Sequence, residues 1–137
     1  MKVSVRIKSD LFEGSGSEGI GESLIEEGRL RISWIQPAGE GEALGVKYAL
    51  TYDMATGVLE VERFSNHISR MAFCEGARTR GELRTVEGCF ETEIFTHHLA
   101  VPGEGFGETV LRYDLLNDGQ EPIHNTLVIS VFEAGEK

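Results

Sequence analysis

Four histidines carry the widest chemical repertoire in this chain, because imidazole serves as general acid, general base and metal ligand. They are His67, His97, His98 and His124. His97 and His98 are adjacent in a predicted strand, so we expect their side chains on opposite faces, unable to share one metal ion. Alternation places His67 and His98 inward and His124 outward. Because no His-Glu-x-x-His or Cys-x-x-Cys spacing is present, the sequence predicts no metal site.

Nucleophilic catalysis has little support in the sequence. There is no Gly-x-Ser-x-Gly elbow, and Ser15 and Ser17 lie in a Gly-rich stretch that would not hold a nucleophile in place. Residues 14–19 lack the Lys-Ser/Thr ending of a phosphate-binding loop. We therefore assign no catalytic residue and no cofactor. A weak hydrolase-like enzyme with His67 or His98 as base is the least favoured of three hypotheses. The alternative for either side chain is a hydrogen-bonded histidine at one end of the fold.

Arginines produce the one strong charge asymmetry. Residues 63–84 hold five arginines and two glutamates, a local charge of +3 in a chain whose net charge is −10. Arg70, Arg78 and Arg80 form a candidate patch for an anion or a protein partner, since the planar guanidinium suits carboxylate and phosphate. This is the second hypothesis, a protein-interaction or homodimerisation module with a basic outer face. The alternative is solvated arginines paired with neighbouring acids, which contribute little individually.

Alternating apolar and polar residues fill the chain almost end to end and would position these groups, as residues 111–115 illustrate. No stretch has helical periodicity. We predict an all-β fold, a single antiparallel closed barrel of roughly eight to nine strands, with residues 1–137 as one domain. Residues 13–23 and 37–42 are rich in Gly and Glu and are predicted loops. Gly28 lies inside a long apolar run and predicts a bulge or bend in one strand.

Several polar or amphipathic side chains fall at inward positions of these predicted strands. The candidate ligand-binding residues are Trp34, Ser69, Thr92, Thr96, Tyr113 and Asn125. Convergent polar groups in an apolar cavity are typical of small-molecule sites. Our leading hypothesis is therefore a non-enzymatic binding module for a small anionic or amphipathic molecule, oriented by Tyr113 and Asn125. The alternative is a solidly packed barrel, in which Asn125 satisfies strand ends and Tyr113 reaches solvent at the rim.

Residues in the second half of the chain are similar to a known family. The run Met71–Gly76, the strands around Thr96 and Tyr113, and the closing run His124–Ile129 resemble the YwiB-like bacterial family of unknown function. The resemblance implies a lipocalin-like (calycin) closed barrel and supplies no activity. The chain departs from the family at Leu83–Gly88, where an aromatic residue and a Thr-Pro are missing. Any role of those residues is not carried over.

Composition excludes some partners. Strong acidity argues against binding to nucleic acid or to an anionic membrane, because both attract positive proteins. No apolar run is long enough to span a bilayer, and Met1 leads directly into a predicted strand with no leader-like segment. Cys74 and Cys89 are more typical of reduced core residues than of a disulfide, which stays the alternative. We expect a cytoplasmic protein with a small-molecule ligand and, as a further option, a homodimer.

Overall fold

Ten strands and no helix make up the part of the chain that the structure describes. The structure is a computed structural model that describes residues 1–9, 18–36, 46–65, 67–102, 104, 106–117 and 119–133. The strands are β1 (Lys2–Ser9), β2 (Glu18–Glu26), β3 (Arg29–Gln36), β4 (Val46–Asp53), β5 (Val58–Phe64), β6 (Ile68–Phe73), β7 (Arg78–Thr85), β8 (Gly88–Ala100), β9 (Gly107–Leu116) and β10 (Ile123–Glu133). Within the described ranges, no helix is long and apolar enough to cross a membrane.

The ten strands form one closed barrel in which every strand pairs antiparallel with its neighbours in the sequence. The first strand completes the ring by pairing on one side with β2 and on the other with β10. The predicted closed antiparallel barrel is thus confirmed, with ten strands in place of eight to nine. We call the end at which the odd-numbered strands finish the upper end, and the opposite end the lower end.

The additional strand is β2, which lies partly in the segment 13–23 predicted as a loop. That prediction is wrong for residues 18–23, while residues 10–17 lie outside the described part of the chain, as do residues 37–45. The alternation did not reveal this strand because small residues occupy its inward positions. Gly21 is required there, since a Cβ on it would lie 1.8 Å from the backbone oxygen of Ser33. The predicted bulge at Gly28 is also wrong. Glu27 and Gly28 both have positive φ and form the tight turn between β2 and β3.

Inward side chains of β3 to β6 form three stacked rows of directly paired residues. The lower row is Leu30, Tyr52, Leu59 and Phe73; the middle row is Ile32, Leu50, Val61 and Met71; the upper row is Trp34, Tyr48, Arg63 and Ser69. Each lower and middle position holds an apolar or aromatic side chain that belongs to the core or packs against it. The upper row includes a cation and a hydroxyl, so the barrel is apolar below and polar above.

A bulge in β8 changes the direction of the histidines. Thr96 lies opposite Tyr113 and His98 lies opposite Arg112, so His97 is an extra residue without a partner in β9. His97 and His98 consequently both point outward, each with a side chain 50% exposed. The expectation of opposite faces, and of an inward His98, is therefore wrong.

Both cysteines are free, which leaves no disulfide within the described residues. Cys74 is half-buried, directly after the end of β6, whereas Cys89 is exposed on β8. The expectation that both are core residues is therefore wrong for Cys89. The Cys89 thiol donates a hydrogen bond to Glu82, which raises the pKa of the thiol.

Candidate functional site

Arg63 occupies an inward position near the upper end of the barrel. It continues the alternation of Leu59 and Val61 along β5, and its side chain is half-buried. Its Nε–H donates a hydrogen bond to the Tyr48 hydroxyl at 3.2 Å, and its Nη1–H donates one to Ser65 Oγ at 2.9 Å. A guanidinium is therefore held in a fixed position inside the barrel wall.

No carboxylate pairs with Arg63 among the residues that the structure describes. A guanidinium carries five N–H donors, and the two hydrogen bonds to Tyr48 and Ser65 leave others open. Withdrawing a charge from water without a counter-charge is unfavourable. The half-buried cation is thus a feature that an incoming anion would complement.

Trp34 stacks on the next side chain of the same row. Its ring centroid lies 5.1 Å from that of Tyr48, with an angle of 8° between the two planes. Trp34 is only 1% exposed, yet its indole Nε1–H has no hydrogen-bond partner among the described residues. Buried indole N–H groups normally find an acceptor, so this donor is a second unused polar group at the upper end.

Beyond Arg63 the row continues over two more strands. Ser69 is paired with Leu83, and Leu83 is paired with Phe90. Leu83 is 41% exposed and Phe90 is 53% exposed, although both stand at inward positions. We call the set Trp34, Tyr48, Arg63, Ser69, Leu83 and Phe90 the Arg63 row. It places a cation beside accessible apolar surface at the upper end.

Trp34 and Ser69 are the two predicted ligand-binding residues that the fold brings into the Arg63 row. Thr92 lies at an inward position opposite Gly81, and its hydroxyl donates a hydrogen bond to Asn117 Oδ1 at 3.2 Å. Arg63 itself was missed by sequence reasoning. The signal was present, since Arg63 shares the alternating phase of Leu59 on β5.

Tyr113 and Asn125 bond mainly to each other rather than converge on an empty space. Asn125 Nδ2 donates a hydrogen bond to the Tyr113 hydroxyl at 2.6 Å, and Ser9 Oγ donates one to Asn125 Oδ1 at 3.1 Å. Burial raises the pKa of Tyr113, and the hydrogen bond from Asn125 opposes that rise. Thr96 is fully buried opposite Tyr113, and within the described ranges its hydroxyl has no partner. The alternative in which Tyr113 reaches solvent at the rim does not hold, because Tyr113 is only 5% exposed.

The outer face of β8, β9 and β10 carries a second polar group of residues. His97 Nε2 donates a hydrogen bond to Asp114 Oδ2 at 2.8 Å, and His124 Nδ1 donates one to the other carboxylate oxygen. Asp114 is largely buried, its side chain being 11% exposed. Burial alone would raise the pKa of Asp114, but the hydrogen bonds from His97 and His124 outweigh it, and the pKa is lowered. Sequence reasoning missed this cluster because the bulge at His97 has no signature in the alternation.

The predicted arginine patch lies on the outer wall, and each of its members forms an ion pair with a glutamate of a neighbouring strand. Arg70 approaches Glu62 at 3.1 Å, Arg78 approaches Glu93 at 3.6 Å, and Arg80 approaches Glu91 at 4.0 Å. All three arginines are more than half exposed. This arrangement favours the alternative of ordinary surface ion pairs, and a partner-docking role for the patch stays a prediction.

In the described part of the chain, neither histidine proposed as a general base has a side-chain hydrogen bond to a nucleophilic side chain. His67 is exposed just before β6, outside the barrel wall strands, so its expected inward position is wrong. His98 Nδ1 lies 3.3 Å from Glu75 Oε1 on the outer surface. Within the described residues, no group of three or more His, Cys, Asp or Glu side chains has the arrangement needed to hold a metal ion.

Comparisons with known proteins agree with the barrel and with the resemblance found in the sequence. The crystal structure of the ywiB protein from Bacillus subtilis is similar, with a TM-score of 0.73 over 98% of this chain and 92% of that chain. The sequence identity is 16%, so the likeness is one of fold. None of the curated proteins compared with the chain matches it. A family profile described as a domain of unknown function, DUF1934, matches residues 24–129, and the chain therefore belongs to that family.

Proposed function

We propose that this protein is a non-enzymatic binding module for a small amphipathic anion, bound at the upper end of the barrel. The observation that carries the proposal is the inward, half-buried guanidinium of Arg63, which has no carboxylate partner in the described part of the chain. A ligand carboxylate, sulfonate or phosphate would accept hydrogen bonds from its open N–H groups. Bidentate pairs of this kind are among the stronger polar contacts in proteins.

The apolar part of the ligand is inferred from the other end of the Arg63 row. Leu83 and Phe90 are directly paired, stand at inward positions and remain accessible. Covering them with an alkyl or aryl group would remove apolar surface from water, which is favourable in proportion to the area covered. A head group on Arg63 and a tail on Leu83 and Phe90 would follow the direction of the row.

The surroundings support a modest role for the remaining predicted ligand residues. Tyr113 and Asn125 hydrogen-bond to each other, which leaves them fewer polar groups with which to orient the ligand. Trp34 offers its unused indole N–H from the opposite end of the row. The two free cysteines support a reducing compartment such as the cytoplasm.

The experiment is a titration with octanoate, and with octan-1-ol as the uncharged counterpart, followed by tryptophan fluorescence. Trp34 is the single tryptophan of the chain and stacks on Tyr48, which accepts a hydrogen bond from Arg63. Octanoate is expected to change the emission of Trp34 saturably and to bind more tightly than the alcohol. Replacing Arg63→Gln should weaken octanoate binding roughly tenfold, because a charged hydrogen bond is lost, and leave the alcohol unaffected.

Two further variants make the result decisive. Arg31→Gln removes the same charge from an exposed outward position on β3, and it should leave both affinities unchanged. Phe90→Ser, at an exposed position, should weaken octanoate and octanol alike. Equal affinity for the acid and the alcohol, or the same octanoate affinity in the Arg63→Gln variant, would contradict the proposal.

A further inference from the structure

An open depression of about 320 Å³ lies over β8, β9 and β10. Its lining consists of Tyr113 and Asn125 together with five residues of the outer face, which are His97, Arg112, Asp114, His124 and Thr126. It is on the outside of the barrel, so it is separate from the Arg63 row on the inside. The proposed function does not use any of these five residues. Their chemistry is nevertheless coherent, because four of them are ionisable and two form hydrogen bonds to the same carboxylate.

Arg112 is the permanent positive charge of the depression. It is exposed, lies directly opposite Thr126 on β10 and opposite His98 on β8, and has no carboxylate partner in the described ranges. Each of the three arginines in the predicted patch on β6 and β7, by contrast, faces a glutamate. The guanidinium of Arg112 is therefore open to an external anion where those of the patch are already paired.

Asp114 turns its histidines into potential donors. Both of its oxygens accept hydrogen bonds from imidazole nitrogens. The bonds use Nε2 of His97 and Nδ1 of His124, which leaves Nδ1 of His97 and Nε2 of His124 available. A proton on either free nitrogen converts an acceptor into a charged N–H donor.

We infer that this depression binds an inorganic or esterified oxyanion of the phosphate or sulfate type, held by Arg112 and by the protonated imidazoles of His97 and His124. Three cationic donor groups around one open depression match the several acceptor oxygens of such an anion. The hydroxyl of Thr126, opposite Arg112, adds a neutral donor.

Affinity at this depression should increase as the pH falls through the range in which imidazole gains a proton. With neutral imidazoles, the charges of Asp114 and Arg112 cancel; each added proton then makes the depression more positive. The neighbouring outward groups are Glu93 and His98 on β8, Arg78 on β7 and Lys8 on β1. Glu93 is paired with Arg78, and His98 lies against Glu75, so both nearby acids are already occupied.

The test is a titration with sulfate, observed through the imidazole C–H signals in two-dimensional NMR spectra. Sulfate keeps the same charge at pH 6 and pH 8, so any change in affinity comes from the protein. Saturable shifts are expected for His97 and His124 but not for His67, which lies outside the depression. The affinity should be higher at pH 6 than at pH 8, because a protonated imidazole adds a charged donor.

Matched variants identify which guanidinium holds the anion. Arg112→Gln should weaken sulfate roughly tenfold at both pH values, whereas Arg80→Gln, an exposed arginine paired with Glu91, should not. Arg63→Gln should leave sulfate binding intact, so this inference and the proposed function can fail independently. Unsaturable shifts, equal shifts at all four histidines, or an unchanged affinity in the Arg112→Gln variant would overturn it.

Discussion

Two rows of the same four strands show how differently the two ends of the barrel are built. The lower row is Leu30, Tyr52, Leu59 and Phe73, and the upper row is Trp34, Tyr48, Arg63 and Ser69. On every strand the two positions are four residues apart and face the same interior. Leu30, Leu59 and Phe73 are at most 1% exposed, whereas Arg63 and Ser69 are half-buried.

This difference in exposure means that the lower row mainly stabilises the fold, whereas part of the upper row is accessible to a ligand. Burying apolar side chains contributes about 25 cal/mol for each Å² removed from water, so the lower row accounts for favourable free energy. A half-buried guanidinium with neutral partners contributes little and forfeits solvation. The upper row, in which Trp34 still belongs to the core, is therefore the row on which the proposed binding depends.

The largest expected effect comes from removing an aromatic ring at the lower end. Phe73→Ala should lower the free energy of unfolding by about 3–5 kcal/mol, because it leaves a cavity in a packed core. The same change at Phe90, which is 53% exposed in the Arg63 row, should lower it by less than about 1 kcal/mol. Urea unfolding followed by circular dichroism measures both.

The comparison between rows would break if the two phenylalanine variants lost similar stability. That outcome would mean that Phe90 is covered in solution, either by another part of the chain or by a second molecule. For octanoate affinity, we expect the order of the two variants to be reversed. Phe73→Ala, if it remains folded, should retain the affinity, while Phe90→Ala should reduce it.

A buried polar cluster gives an intermediate effect. Asn125→Ala removes the donor to the Tyr113 hydroxyl and the acceptor of Ser9, and should cost about 1–3 kcal/mol of unfolding free energy. Tyr113→Phe removes one partner of the same pair, so the double variant should be less destabilised than the two single changes combined. Thr92→Ala is the control, because its hydrogen bond to Asn117 is exposed. Strict additivity in the double variant would show that the buried pair is not coupled.

The alternation of side chains predicted the barrel because closure needs nothing but period-two strands and tight turns. It did not predict β2, where Gly19, Gly21 and Ser23 occupy the inward positions. Small residues are required there by the close approach of β3, and Gly19 has the same requirement, since a Cβ would lie 2.6 Å from Trp34. In sequence, however, such a strand has the composition of a loop. Local composition cannot report a constraint that comes from a neighbouring strand.

The candidate sites were predictable to different degrees for a similar reason. Arg63 follows the phase of its strand, so its inward position was available from the sequence once β5 was recognised. The Asp114 cluster was not, because one extra residue at His97 reverses the phase of β8 beyond Thr96. A bulge depends on the pairing of two strands, and a single sequence carries no separate signal for it.

The smallest expected effect on stability concerns Asp114 on the outer wall, whose contribution to the free energy of unfolding should depend on pH. The pKa of Asp114 is lowered in the folded protein, because the hydrogen bonds from His97 and His124 outweigh the effect of burial. A group with a lowered folded pKa stabilises the fold fully above its unfolded pKa, about 3.9, and loses that contribution as the pH falls through the folded value. Asp114→Asn should therefore cost about 1 kcal/mol at pH 6.

That difference between wild type and Asp114→Asn should shrink toward zero once the pH falls below the lowered folded pKa, where the carboxyl is protonated in both folded and unfolded chains. Free energies of unfolding from urea titrations over this pH range measure the effect. Glu91→Gln changes an exposed carboxylate on the same strand as His97 and should alter stability by less than about 0.5 kcal/mol throughout. A constant difference at every pH would show that Asp114 acts through packing alone. The proposed oxyanion site would then depend on Arg112.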